Sequence, residues 1–218
     1  KEKRASEIAG TGLSTLVISG VVIAAIVLLF LEHLLHAFGA TSEVLPYAVD
    51  YTGITAIGIP FFILTTGGNH LIRADRSPTY SMVSMLTGAI LNTILDPLFI
   101  CVFHWGIKGA AAATVIGQVV SGLLVILYFG KYKKMDRKVS ALRPRAVYLK
   151  AVAALGMASC INQLAMTFVQ IAMNNTLRYY GAASSYGSDI PLACVGVISK
   201  VNSVFLAICI GISQGCQP

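Results

Sequence analysis

The sequence predicts an all-α integral membrane protein, a polytopic bundle of about six transmembrane helices. Two observations carry this. Of 218 residues, 56% are hydrophobic and only 11% charged, less than half the ~25% of a soluble domain, so charge cannot cover a water-facing surface. The apolar residues also fall in long runs, not the ~10-residue alternating segments of a transmembrane β-barrel, and a lone segment in lipid satisfies its backbone only as a helix. The mean hydropathy of +0.77 agrees.

The elements follow in order. The polar opening KEKRASEIAG reads as a loop, and the first span as 13–35. The second, 47–68, contains Pro60. The third, 79–103, is interrupted by NTILDP. The fourth, 109–129, starts with alanine and glycine, small enough for a neighbouring helix to approach closely. The fifth, 147–174, carries amides, and the sixth, 190–213, holds Pro191 and Lys200. Pro60 and Pro191 are expected to kink their helices.

The connecting segments set the orientation. One side carries Lys1, Lys3, Arg4, Arg73 and Arg76, then Lys131, Lys133, Lys134, Arg137, Lys138, Arg143, Arg145 and Lys150. The other carries only Lys108 and Arg178. By the positive-inside rule the first side is cytoplasmic, and 33–46, 104–108 and 177–189 face out. The longest polar stretch, 130–150, separates four spans from two. It suits a basic loop on anionic lipid, a link between two lobes, or both. Both chain ends read as cut from something longer.

Several function classes are set aside. The net charge of +7 sits in short segments that membrane topology explains, without aromatic platforms or zinc-knuckle spacing, so no nucleic-acid partner is expected. The five cysteines, Cys101, Cys160, Cys194, Cys209 and Cys216, form no CxxC pair and read as small hydrophobes. His33, His36, His70 and His104 lie in different boundary regions and suggest no histidine metal centre. No nucleophile constellation or phosphate loop suggests a membrane enzyme.

The segment LNTILDPLFI, 91–100, places Asp96, Asn92 and Pro97 inside an apolar span. Asp96 lies ~17 residues into it, roughly 25 Å from the cytoplasmic edge. A charged Asp facing lipid at mid-helix costs on the order of 3 kcal/mol, so Asp96 must face protein or water. Asn92, four residues earlier, shares its helix face. Pro97 frees a backbone carbonyl. The group reads either as a pocket that binds Na+ through oxygens or holds a proton, or as pairing that satisfies a proline-kinked helix. In GIKGAAAATVIGQVV, 106–120, Thr114 could add an oxygen ligand across a small-residue contact, or bond back to its own helix.

LNTILDPLFI followed by WGIKGAAAATVIGQ resembles the fifth and sixth helices of the multidrug and toxic compound extrusion (MATE) transporters, in particular a MepA-like bacterial branch. GATSEVLPYAVDYTGITAIGIPFFILTTGGNHLIRADRSPTYSM, Gly39 to Met82, is similar to the region from the third helix to the fifth. SCINQLAMTFVQIAMNNTLRYYG and GVISKVNSVFLAICIGISQGCQP are similar to helices seven and eight. The resemblance covers essentially the whole chain. It implies a monomeric two-lobe transporter of the bacterial plasma membrane that expels cationic, amphipathic drugs by alternating access in exchange for H+ or Na+, with no cofactor beyond the coupling ion. This chain would correspond to helices three to eight of twelve: 1–129 the remainder of the N-lobe, 130–146 the cytoplasmic linker, 147–218 the start of the C-lobe. The family's N-lobe cation site uses an Asn and an Asp four apart and a Thr on the next helix, matching Asn92, Asp96 and Thr114. Its further acid on the first helix lies outside this chain. NQLAMTFVQ lacks the acid that some relatives carry on helix seven, which favours coupling through the N-lobe.

Gln163, Gln170 and Asn174 share one helical face, flanked by Met166 and Met173. Amides beside flexible thioethers suit a promiscuous drug cavity, or amide bonding between packed helices. Lys200, roughly ten residues into the last span, is too deep to snorkel easily and calls for a partner or a water-filled cavity. Asn174-Asn175-Thr176, placed in the outward loop, matches a glycosylation sequon, read as chance in a bacterial protein. The alternatives are a lipid-linked saccharide flippase of the same superfamily, which would want a more basic cavity, and an inactive truncated fragment.

Overall fold

The computed structural model describes residues 2–131, 146–182 and 189–215. Among these every regular element is helical: α1 (Glu2–Leu29), α2 (Leu31–Ala37), α3 (Leu45–Ala74), α4 (Pro78–Pro97), a π-helical turn (Leu98–Val102), α5 (Gly106–Lys131), α6 (Ala146–Ala182) and α7 (Asp189–Gly215). Six stretches are long and apolar enough to cross a membrane: Ile8–Leu29, Leu45–Ala74, Pro78–Val102, Gly106–Lys131, Val152–Ala182 and Ile190–Ser213. The chain is a multi-pass membrane protein.

The spans stand where the apolar runs put them, but their ends differ from expectation, and the reason is consistent. Polarity ends a membrane span, not a helix. The opening segment is not a loop: α1 begins at Glu2, because Glu, Lys, Arg and Ala are good helix formers. The first span ends at Leu29 rather than 35, and the short α2 follows. Asn174-Asn175-Thr176 lies inside α6, which runs on to Ala182. Pro191 stands in the first turn of α7, where its absent N–H costs no hydrogen bond, so it is no interior kink. Pro60 is interior to α3. The interval 132–145, the greater part of the expected linker, lies outside the described residues, as does Cys216; the four described cysteines are free thiols.

The chain packs as two compact units, Lys1–Leu34 with Pro46–Cys160, and Leu35–Leu45 with Ile161–Pro218. In the first, Leu64, Ile72, Val125 and Phe129 form an apolar core on which Leu13, Leu71, Tyr80 and Tyr128 pack. Thr11, Asn69, Ser81, Ser84 and Ser121 are also buried, while Ile18, Val21, Val22, Ile90 and Ile94 are exposed. Small and polar residues inside with branched aliphatics outside is the arrangement of helices solvated by lipid.

One end of this unit is pinned by aromatic hydroxyls. Tyr128 donates to Asp75 Oδ2 at 2.6 Å and shares a 2.9 Å hydrogen bond with Ser77 Oγ. Tyr80 donates to the Leu124 carbonyl at 2.8 Å, and the two tyrosine rings lie 4.8 Å apart. The turn between α3 and α4 is thereby fastened to the end of α5. Tyr128→Phe keeps the ring and removes the charge-assisted bond, with an expected cost of about 1–2 kcal/mol. A lowered thermal midpoint in detergent checks it. An unchanged midpoint would make the contact neutral.

In the second unit, Asn174 Nδ2 donates to the Phe38 carbonyl at 3.3 Å and Asn175 Nδ2 to the Ala37 carbonyl at 3.0 Å. The two amides of α6 hold the turn that follows α2. Gly39 has a φ of +93°, closed to most side chains, and a Cβ there would lie 3.2 Å from Asn174 Cβ.

Candidate functional site

Tyr80, Ser84, Gly88, Asn92 and Asp96 recur every fourth residue along α4 and form one face. That face lies along Leu124, Ser121, Gly117 and Thr114 of the antiparallel α5. Ser121 Oγ donates to the Ser84 carbonyl at 2.9 Å, and Ser84 Oγ to the Ser121 carbonyl at 3.3 Å. One turn on, the backbones nearly touch: a Cβ on Gly117 would lie 2.7 Å from the Gly88 carbonyl oxygen. This close crossing brings the next polar residues within reach of each other.

There Asn92 Nδ2 lies 3.4 Å from both Asp96 Oδ1 and Thr114 Oγ1, and Thr114 donates its own hydroxyl proton to the Ala110 carbonyl at 2.9 Å. Asn92, Asp96 and Thr114 are therefore one half-buried cluster. The expected back-bond of Thr114 is present; it uses the hydroxyl proton and leaves the oxygen facing Asn92. The 3.4 Å contacts are at the long, weak end for hydrogen bonds, so the amide is loosely held. Its carbonyl oxygen, the Asp96 carboxylate and the Thr114 hydroxyl are oxygen atoms of the kind that ligate hard cations.

Pro97 closes this helix and has no N–H to give the Thr93 carbonyl. The π-helical turn Leu98–Val102 follows directly. Such turns mark breaks in the regular bonding pattern and recur at functional sites.

Gln118, one turn beyond Thr114, is a residue that sequence reasoning misses. Its Oε1 is buried, has no hydrogen-bond partner among the described residues, and faces Gly58 of α3. The i, i+4 spacing from Thr114 is the available signal. Thr65 Oγ1 and both polar atoms of the fully buried Asn69 are likewise unpartnered among the described residues, one turn apart on α3. No pattern of alternating polarity announces them, because each stands alone in an apolar run.

The expected drug-cavity residues divide. Gln170, Asn174 and Lys200 line one cavity of about 490 Å³ in the second unit, together with Ser199 and Ser203. Gln170 Nε2 donates to Asn174 Oδ1 at 3.1 Å. Gln163 and Met166 do not line this cavity and are exposed, a turn or more away on α6.

Residues 1–98 match the MatE family model. The chain is 30% identical over 200 residues to the multidrug export protein MepA of Staphylococcus haemolyticus (strain JCSC1435), across 91% of this chain and 43% of that protein. It is 28% identical over 201 residues to the MepA of Staphylococcus aureus (strain NCTC 8325 / PS 47), across 86% and 45% respectively. A solved structure of the MATE multidrug transporter DinF-BH superposes with a TM-score of 0.69 at 28% identity, over 83% of this chain and 46% of that one. The chain spans less than half the length of the curated relatives it matches.

Proposed function

Because the chain belongs to the MATE family of membrane transporters, we propose that it is part of a multidrug exporter of the bacterial plasma membrane, driven by exchange of cationic, amphipathic drugs for H+ or Na+. The observation that carries this is the Asn92, Asp96, Thr114 cluster, a carboxylate in a membrane span with two neutral oxygen donors beside it. An unshared carboxylate is expensive at that depth. A bound proton or Na+ neutralises it.

The chemistry follows from the amide. As the cluster stands, the Asn92 N–H groups point to Asp96 Oδ1 and Thr114 Oγ1. With Na+ present, a turn of the amide about its last bond brings its oxygen to the cation in place of nitrogen. Cation arrival and departure then change how α4 and α5 are tied together, at the end of α4 where Pro97 and the π-helical turn break the regular bonding. Alternating access would use that change. In this reading residues 1–129 are the remainder of one lobe and 147–218 the start of the other, with the basic linker 130–146 on the cytoplasmic side.

Cells expressing the full reading frame should extrude ethidium against its gradient, and collapse of the H+ and Na+ gradients should stop them. Extrusion that persists after collapse of both would overturn antiport. Thr114→Val keeps the shape and removes one oxygen. It is expected to weaken the cation site by roughly tenfold, the worth of one hydrogen-bonded ligand, and so to raise the H+ or Na+ concentration needed for half-maximal efflux. The same half-maximal concentration in both proteins would remove Thr114 from the site.

A further inference from the structure

We propose that the buried polar side chains between α3 and α5, Gln118, Thr65 and Asn69, hold a file of internal water that carries a proton between the Asn92, Asp96, Thr114 cluster and the end of α3 at Arg73 and Asp75. This names H+ as the coupling ion and so deepens the export reading, on which it rests for transport; the presence of the water is independent of that reading.

Asn69 is fully buried, and both polar atoms of its amide lack a partner among the described residues, as do Thr65 Oγ1 and Gln118 Oε1. These atoms are already enclosed by the helices around them, so chain beyond this sequence has no access to them. A buried amide that bonds nothing is strongly disfavoured, and the common remedy is an internal water making about three hydrogen bonds. Thr65 departs from the habit of this protein. Thr15, Thr55, Thr87, Thr93 and Thr114 each donate to the carbonyl four residues back, the default for a hydroxyl in an apolar helix. Thr65 does not, and its oxygen lies against α5, 3.5 Å from where a Cβ on Gly122 would stand.

The spacing suits single waters in file. Thr114 and Gln118 are four residues apart on α5, as are Thr65, Asn69 and Arg73 on α3. Four residues rise ~6 Å along a helix, the reach of one water that makes two hydrogen bonds of ~2.8 Å. Gly122, one turn beyond Gln118, brings α5 against Thr65 and passes the line to α3. Asn69 comes next, one turn before Arg73, which donates to Ser81 Oγ at 3.2 Å. Arg73 and Asp75 bring one charge of each sign to that end, which the basic segments mark as cytoplasmic. The helices touch on either side of Thr65: a Cβ on Gly58 would run into Gln118 Oε1, and one on Gly68 into Val125. Na+ must move with a shell of oxygens and does not pass such a contact, whereas a proton passes by exchange of hydrogen bonds between neighbouring waters. The step balances. Asp96 gives one proton to the first water and becomes a carboxylate, each water takes one proton and passes one on, and one proton leaves at the far end.

The test uses the protein from its full reading frame in lipid nanodiscs. A cryo-EM map of the wild type, at a resolution that shows ordered water, is expected to hold density within about 3.2 Å of the Asn69 amide and of Thr65 Oγ1. A dry seam would overturn the proposal. Proton release at saturating ethidium is then followed by stopped flow with a pH-sensitive dye. Asn69→Leu, of similar size, is expected to slow release about tenfold, the loss of one hydrogen-bonded step, while the ethidium affinity and the final number of protons released stay those of wild type. Thr65→Val, which breaks no bond to protein, should slow release in the same sense, and serves where Asn69→Leu does not fold. An unchanged rate in a folded variant would send the proton by another route, and release of Na+ in place of H+ would exclude the file as the coupling path; both overturn the proposal. Release of neither ion would overturn antiport and the role of the file with it, while the map would still show whether the water is there.

Discussion

Asp96→Asn is expected to reduce ethidium efflux to the background of cells lacking the protein, at equal membrane abundance. The change is nearly isosteric and keeps a side chain that Asn92 can bond, so the α4–α5 contact should survive. What is lost is the charge. The other oxygens near the site, on Asn92 and Thr114, are neutral. Neutral oxygens alone hold a monovalent cation weakly, and an amide cannot take up the exchanged proton. Losing a charge-assisted contact implies roughly 10- to 100-fold weaker cation binding. Efflux at the wild-type level would return Asp96 to a purely structural role, and the coupling group would then lie elsewhere.

Gly88→Val is expected to destroy the same site by a different route. A Cβ on Gly88 would run into Ser121 Oγ and lie 2.7 Å from the Gly117 carbonyl oxygen. The second contact is with backbone, which cannot swing aside like a side chain. Forcing the helices apart disrupts the reciprocal Ser84–Ser121 bonds and widens the Asn92–Thr114 contact, already 3.4 Å. Overpacking of this kind costs typically about 1–3 kcal/mol. The expected result is lower yield of folded protein, a lowered thermal midpoint and loss of efflux together. A variant with wild-type stability and efflux would show that the α4–α5 crossing is not tight at Gly88. The two substitutions separate charge from geometry, since only the second should change stability.

The helices and the polar cluster on α4 and α5 are legible in the sequence for different reasons. Spans are legible because lipid demands long apolar runs, and all six appear. Their ends are less so. Glu2 to Ile8 and Asn174 to Ala182 are helical although polar, since water tolerates a helix as readily as a loop. The Asn92, Asp96, Thr114 grouping can be read because a carboxylate four residues from an amide in an apolar run has few explanations, and alanines opposite announce a close helix contact. Gln118, Thr65 and Asn69 escape such a reading because a single amide or hydroxyl in a membrane helix can face lipid, protein or its own backbone equally well. Packing alone decides, and here it buries them. The stripe of Gln163, Met166, Gln170 and Asn174 shows the limit of periodicity. Helical spacing puts residues on a face, but only Gln170 and Asn174 of this set reach the cavity, because the turn at 38–40 covers that end of α6.

The central claim is that Asp96 holds the cation exchanged for drug, and the most direct measurement is cation release on drug binding. Purified protein from the full reading frame, in weakly buffered detergent solution, is titrated with ethidium while H+ and Na+ are followed with ion-selective electrodes. Wild type should release one of the two ions as ethidium binds, and Asp96→Asn should bind ethidium with no release. Equal release from both proteins would place the exchanged cation at a group other than Asp96 and contradict the account.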